Sequence, residues 1–204
     1  MRILPAFFLA ILILPAIPAQ AERAPLLDLI DAPVAFSAEY HVAAEGRGEY
    51  RGTVIHAPGR ERREFATAQG RQILLIRRDT RQAAMLWPER KWYLSLPFEA
   101  ASNIAGADID AMTIERRNAA KETIAGEPCT RYDVTASGGD SSFSGRMWFT
   151  KDGILMKASG TAEAQGRRYK VDTALRNLLR IKADPQAFVI PSDYLGMQAK
   201  NLPR

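Results

Sequence analysis

Side chains able to do chemistry are few in this chain, and they are spaced widely. Its 204 residues include one cysteine, Cys129, and two histidines, His41 and His56. A nucleophilic thiol needs a base beside it, or a cationic and accessible setting that lowers its pKa. In the stretch GEPCTRYDV (126–134), Arg131 shares a strand face with Cys129, but no histidine stands near and no second cysteine exists. A zinc site needs several convergent ligands, and neither H-x-x-x-H nor C-x-x-C occurs. There is no G-x-S-x-G elbow and no phosphate loop; Gly46-Arg47-Gly48 precedes a strand and reads as a turn. Asp108 and Asp110 stand two apart in a polar helical stretch, the spacing of a solvated pair. The expectation is a protein that is not an enzyme, with no metal and no cofactor. Both histidines read as exposed or edge positions, and Cys129 as a small buried side chain near the start of a strand.

The first 21 residues, MRILPAFFLAILILPAIPAQA, have a positive end, an apolar stretch and a small-residue A-x-A close. That is the pattern of a secretory signal peptide cleaved after Ala21. The apolar run is shorter than the ~20 residues a bilayer needs and is broken by proline. The mature chain is therefore expected not to span a membrane and to reside in the periplasm. Residues 22–204 read as one domain, without a linker, a repeat or a low-complexity tract. A single cysteine also excludes a disulfide scaffold, so stability has to come from burial. Basic residues number 28 against 23 acidic, a net charge of +5 of which the leader carries one. The basic clusters Arg60, Arg62, Arg63 and Arg77, Arg78, Arg81 are interrupted by acids and fall near expected turns. They read as solvated hairpin ends, and a nucleic-acid partner is not expected.

These residues are carried by strands. VAFSAEYHV (34–42) alternates strictly, and successive strand side chains face opposite ways. Runs of strand character follow at 49–57, 62–68, 72–77, 82–87 and 91–96, then at 130–136, 142–150, 154–161 and 168–179. Turn residues separate them, and Asp152-Gly153 is the strongest hairpin signal, read as a tight primed turn with positive φ. Short strands joined by close turns predict a mainly β antiparallel meander. Pro25–Asp31 reads as a short amphipathic helix entering the sheet. The alanine-rich stretch 99–112 reads as a helical excursion between two sheet halves.

A sheet of this length twists and curls towards a barrel or half-barrel, and its concave face has to be filled, plugged or occupied. Aromatic and β-branched residues recur on nearly every strand. Phe36, Tyr40, Tyr50, Val54, Phe65, Trp92, Tyr132 and Phe149 are the candidate lining of such a face. Ile73–Ile76, Met147–Phe149 and Ile154–Met156 are apolar on both faces, so something covers the sheet on one side. The residues alone do not separate an ordinary filled barrel or sandwich from a ligand cavity.

Several stretches, in this order, resemble one family. They are PVAFSAEYHV, RGEYRGTVIHAPGRERREF and QAAMLWPERKWYLSL, followed by ETIAGEPCTRYDV, GRMWFTKDGILMKASG and FVIPSDYLGM. Together they resemble the LolA/LolB-like, lipoprotein-sorting superfamily of periplasmic proteins, and its uncharacterised bacterial members more than the lipoprotein carriers. The resemblance implies an open, strongly curved antiparallel half-barrel with one to three short helices covering its concave side. It also implies a non-enzymatic binding protein whose apolar cavity takes a lipid, an acyl chain or a lipoprotein. The alternative is an interaction or regulatory protein with a filled cavity and an envelope protein as partner. No functional residue of the carriers transfers to this chain. Asp193 stands where many relatives have glycine, so a tight turn there would put Asp193 in a left-handed conformation.

Overall fold

The computed structural model describes residues 22–46, 48–68, 70–99 and 109–197. The leader and most of the alanine-rich stretch lie outside the described residues; a 3-10 turn spans Ile109–Ala111. The strands are β1 (Glu22–Pro25), β2 (Phe36–Ala44), β3 (Gly48–Ala57), β4 (Arg60–Thr67), β5 (Gly70–Arg77), β6 (Gln82–Trp87) and β7 (Trp92–Leu96). They continue as β8 (Thr113–Ile124), β9 (Glu127–Gly138), β10 (Ser141–Thr150), β11 (Leu155–Ala164), β12 (Arg167–Arg180) and β13 (Leu195–Gly196). All belong to one open, curved 13-stranded sheet in the order β1-β8-β9-β10-β11-β12-β2-β3-β4-β5-β6-β7-β13. Every neighbouring pair is antiparallel except β13, which joins β7 in parallel. The mainly β, half-barrel expectation holds.

Two meanders, β8–β12 and β2–β7, meet where β12 pairs with β2, from Val171↔Ala44 to Arg180↔Phe36. Helix α1 (Leu26–Ile30) leaves the edge strand β1 and leads to β2 in the middle of the sheet. Pro25 precedes it without a side-chain cap, so α1 is held by its contacts. The Leu26 N–H donates to the Met112 carbonyl at 2.8 Å, and Leu26 packs with Ile109, Met112 and Ile114. Both carboxylate oxygens of Asp31 accept from the Gly59 N–H in the β3–β4 turn, at 2.9 and 3.1 Å. His56 Nε2 donates to the Ala32 carbonyl at 2.9 Å.

Strand β8 was not expected from the sequence. Its TIERRNAAKETI buries little beyond Ile114, and a bulge between Arg117 and Ala120, with Asn118 at φ 52°, breaks the period of two. Two turns also differ from expectation. The β10–β11 hairpin closes through three residues, 151–153, with positive φ at Gly153 (84°) and not at Asp152. The Gly153 N–H donates to the Thr150 carbonyl at 3.1 Å, and Thr150 N–H to that of Ile154 at 2.9 Å. This is a turn followed by a left-handed glycine, not a two-residue primed turn. Asp193 is likewise not left-handed. Its turn is closed by the Tyr194 N–H on the Pro191 carbonyl, and its carboxylate pairs with Lys91 Nζ at 2.8 Å.

The β10–β11 hairpin is pinned to the end of β12. Arg180 donates to Asp152 at 2.6 and 3.1 Å and to Glu127 at 3.0 Å. The hydrogen bonds from Arg180, then that from Thr150, hold the Asp152 carboxyl down at about 2 against the pull of partial burial. An unfolded aspartate titrates near ~3.9, so the stabilisation is complete above that pH and is lost as pH falls through the folded value. Arg180 is 44% exposed, which screens the pair. Asp152→Asn is therefore expected to cost about 1 kcal/mol at pH 7. In urea titrations the gap from wild type should narrow between about pH 4 and 2; a pH-independent gap would refute the ion-pair origin.

Candidate functional site: the concave face on either side of α1

Register places the site residues. Across the sheet Tyr40 opposes Leu175, Thr173 opposes Ala158, Ala158 opposes Met147 and Met147 opposes Tyr132. Towards the other edge Phe36 opposes His56, and His56 opposes Glu61. Likewise Val54 opposes Arg63 and Gly52 opposes Phe65. Opposed residues share a face, so these side chains stand on one surface. That surface is the one α1 crosses: Leu29 and Ile30 of α1 lie against it, on cavities at either side of the helix.

The larger cavity, about 700 Å³, lies between α1 and strands β8–β10. Leu29, Pro33, Tyr132 and Phe149 supply its apolar wall; Arg116 and Lys121 line it from β8, and Asp28 from α1. The guanidinium of Arg116 stands 5.0 Å from the Tyr132 ring centre, a cation–π contact that covers the ring. Cys129 lines this cavity too, 3% exposed, and burial pushes its thiol pKa up. Its Sγ–H faces the Glu127 carbonyl at 3.4 Å. The buried packing role expected of it holds.

The smaller cavity, about 140 Å³, lies on the other side of α1. Ile30, Phe36, Tyr40, Val54, Met156 and Leu175 line it, together with His56, Glu61, Arg63 and Arg78. Here the sequence reading needs correction. His56 is neither exposed nor on an edge: it is 3% exposed and stacks on Phe36 with ring centres 4.9 Å apart. A carbonyl only accepts, so the bond to Ala32 places a proton on Nε2. Nor are all the arginines solvated hairpin ends. Arg63 turns inward, hydrogen-bonds Glu61 and lies 5.8 Å from the Tyr40 ring centre. Arg78 is only 10% exposed. The signal was present in the strand itself, since Glu61 and Arg63 alternate with Arg62 and Glu64 and share a face with Phe65.

Glu61 is buried, which alone would raise its pKa; the charges of Arg63, Arg78 and His56 outweigh that and hold the carboxyl below its usual range. Arg78 is served less well. Its Nη1 comes no nearer than 3.9 Å to Glu61, its buried Nε has no partner, and its guanidinium hydrogen-bonds no described residue. A buried donor left unmade costs about 1–3 kcal/mol, and more where the group is charged.

Of the eight candidate lining residues, Phe36, Tyr40 and Val54 meet in the smaller cavity, and Tyr132 and Phe149 in the larger. Phe65 lines a separate, more polar groove of about 670 Å³ with His41, Arg51 and Arg71. Tyr50 is 54% exposed at the far end of β3, and Trp92 stacks with Arg90 on β7. No group of three or more His, Cys, Asp and Glu side chains could hold a metal among the described residues. No helix among them is long and apolar enough to cross a membrane.

Two measurements check this arrangement. Glu61→Gln removes the anion shared by the nearly buried Arg78 and the part-exposed Arg63 and should destabilise the protein by about 2 kcal/mol in urea; a loss below about 0.5 kcal/mol would mean that the cluster is open to water. A thiol reagent should label Cys129 at the rate of global unfolding in the native protein and immediately in denaturant. Rapid native labelling would contradict its burial.

No curated protein matches the chain. Among solved structures, an uncharacterised conserved protein from Thermus thermophilus matches with a TM-score of 0.53 at 11% identity, over 84% of this chain and 96% of that one. The two share a fold. MucB, solved in complex with MucA(peri), matches with a TM-score of 0.48 at 12% identity, over 82% of this chain and 58% of MucB. A LolA superfamily protein from Nitrosomonas europaea is also among the neighbours. Its TM-score is 0.41 at 14% identity, over 82% of this chain and 94% of that one. Residues 45–190 match the family described as Domain of unknown function (DUF4412), most of the chain, and the protein belongs to that family.

Proposed function

We propose that this is a non-enzymatic periplasmic binding protein that takes a lipid or acyl chain, free or attached to a lipoprotein, on its concave face. The observation that carries the reading is the space left on that face. Side chains and α1 cover it without filling it, and cavities of about 700 and 140 Å³ remain on either side of the helix. A sheet meant only to be stable would close such space, because packing to density is worth roughly 20–30 cal/mol for each cubic ångström filled. Apolar walls from Leu29, Tyr132 and Phe149 on one side, and from Phe36, Val54 and Met156 on the other, suit a ligand driven in by burial of hydrocarbon. The leader pattern of residues 1–21 supports export, with the mature chain beginning at Glu22.

Native mass spectrometry of the protein purified from envelope extract tests the reading. A co-purified mass in the acyl-lipid range, removed by delipidation and restored by a fatty-acyl probe, is the expected result. A clean apo mass with no uptake of probe would overturn it. Leu29→Trp, which projects an indole into the larger cavity, should lower probe occupancy about tenfold while leaving the melting temperature near wild type.

A further inference from the structure

We infer that the smaller cavity is a head-group site, and that its ligand is an anionic amphiphile with a single apolar tail. The inference rests on the acyl-binding reading above and adds the chemistry of the ligand's polar end. The cavity's lining holds one carboxylate, Glu61, against two guanidiniums, Arg63 and Arg78, with the imidazoles of His41 and His56 beside them. Glu61 is hydrogen-bonded to Arg63, which leaves a surplus positive charge on Arg78. The Arg78 side chain is nine-tenths buried, hydrogen-bonds no described residue and meets Glu61 only at 3.9 Å, beyond hydrogen-bond reach. Its Nε is buried without a partner, as are those of Arg116 and Arg131, but Arg131 also hydrogen-bonds a carboxylate and Arg78 does not.

Elsewhere in the chain, guanidiniums with comparable neighbours reach an anion at hydrogen-bond distance: Arg180 binds Asp152 and Glu127, and Arg131 binds Glu122 at 2.8 Å. Arg78 could have been solvated at the β5–β6 turn like its neighbour Arg77, which pairs with Asp79. It is instead turned under the sheet, where it shares Glu61 with Arg63 and makes no hydrogen bond to it. A planar guanidinium in a low-dielectric pocket selects a carboxylate or phosphate, which it can grip through two parallel bonds.

The rest of the lining says what the anion is attached to. Ile30, Phe36, Val54, Met156 and Leu175 supply a hydrocarbon wall, and the neutral polar side chains beside them are few: Tyr40, Thr173 and the imidazoles of His41 and His56. A volume of about 140 Å³ admits a head and the first carbons of one tail, and is far too small for a diacyl lipid. The space across α1 is where a longer tail has room to continue.

The test uses three ligands with one tail: decanoate, decyl phosphate and decanol, titrated into the delipidated protein by calorimetry. The expected result is that at least one anion binds about tenfold more tightly than decanol, a difference that a charge-assisted pair readily supplies. The tighter of the two anions assigns the head as carboxylate or phosphate. Arg78→Met should erase the preference for the anion and keep decanol binding, and Arg78→Lys should restore part of it. Equal binding of all three ligands by the wild type would overturn the head-group site and leave the acyl-binding reading standing. Binding of none would overturn both. The wild-type comparison does not depend on whether any variant folds.

Discussion

Ten residues carry the backbone from the edge of this sheet to its middle, and the shape of the protein follows from that. Between Pro25 at the end of β1 and Phe36 at the start of β2 lie the five residues of α1 and five more. On the sheet the two strands are separated by β8, β9, β10, β11 and β12. Six strand spacings of ~4.8 Å make ~29 Å if the sheet were flat. The connection reaches roughly 27 Å, since a helical residue advances 1.5 Å and an extended one about 3.3 Å. Over a flat sheet the connection would therefore have to run fully taut, with nothing left for any offset along the strands. The connection acts as a chord, the strands form the arc, and α1 has to cross the concave face. The same geometry explains the residues that hold the chord. Asp31 caps the Gly59 N–H, His56 bonds Ala32, and the Ile181 N–H donates to the Ala35 carbonyl at 3.1 Å.

A five-residue helix without a side-chain cap has no stability of its own. It persists because Leu26 is 5% exposed in a cluster with Ile114, Val134 and Phe149, and because the chord beyond it is tied down. One chord cannot fill a concave face that spans both meanders. What remains on each side is the pair of cavities. They are the consequence of covering a wide arc with a narrow element, and Leu29 and Ile30 are each the wall of one.

Much of this was legible in the sequence, for reasons that can be named. In the β2–β7 meander β2 alternates because it has one buried and one more exposed face, β5 and β6 are apolar runs buried on both faces, and turn residues bound each of them, so that Gln82–Trp87 was readable to the residue. Strand β8 was not, because a bulge at Asn118 shifts its period and its exposed edge requires few apolar side chains. The inward arginines were misread for a different reason. Charge runs are usually solvated, and composition alone cannot tell a run on a turn from one that alternates through a strand. Arg62 and Arg63 are adjacent yet point to opposite faces, and only the pairing of Arg63 with Val54 decides which one enters the cavity. Aromatic residues were over-read in the opposite sense. Tyr50 and Trp92 fit the strand pattern, but Tyr50 stands at the end of β3 away from α1 and Trp92 on β7 near the sheet edge, and neither lines the cavities beside α1.

The buried cluster shows how the chord and the cavity depend on each other. His56 anchors the chord through Ala32 and, on its ring face, stacks against Phe36 in the cavity wall. Its cross-strand neighbour Glu61 draws Arg63 and Arg78 inward. Replacing such a cluster by hydrocarbon of equal volume often costs nothing or adds stability, so fold alone does not require it. A Leu or Met at position 78 would pack against Ile30 and Val54 without leaving a guanidinium short of partners. The charge of Arg78 is thus the feature of the concave face that packing explains least, and it stands beside the residues that fix where α1 can lie.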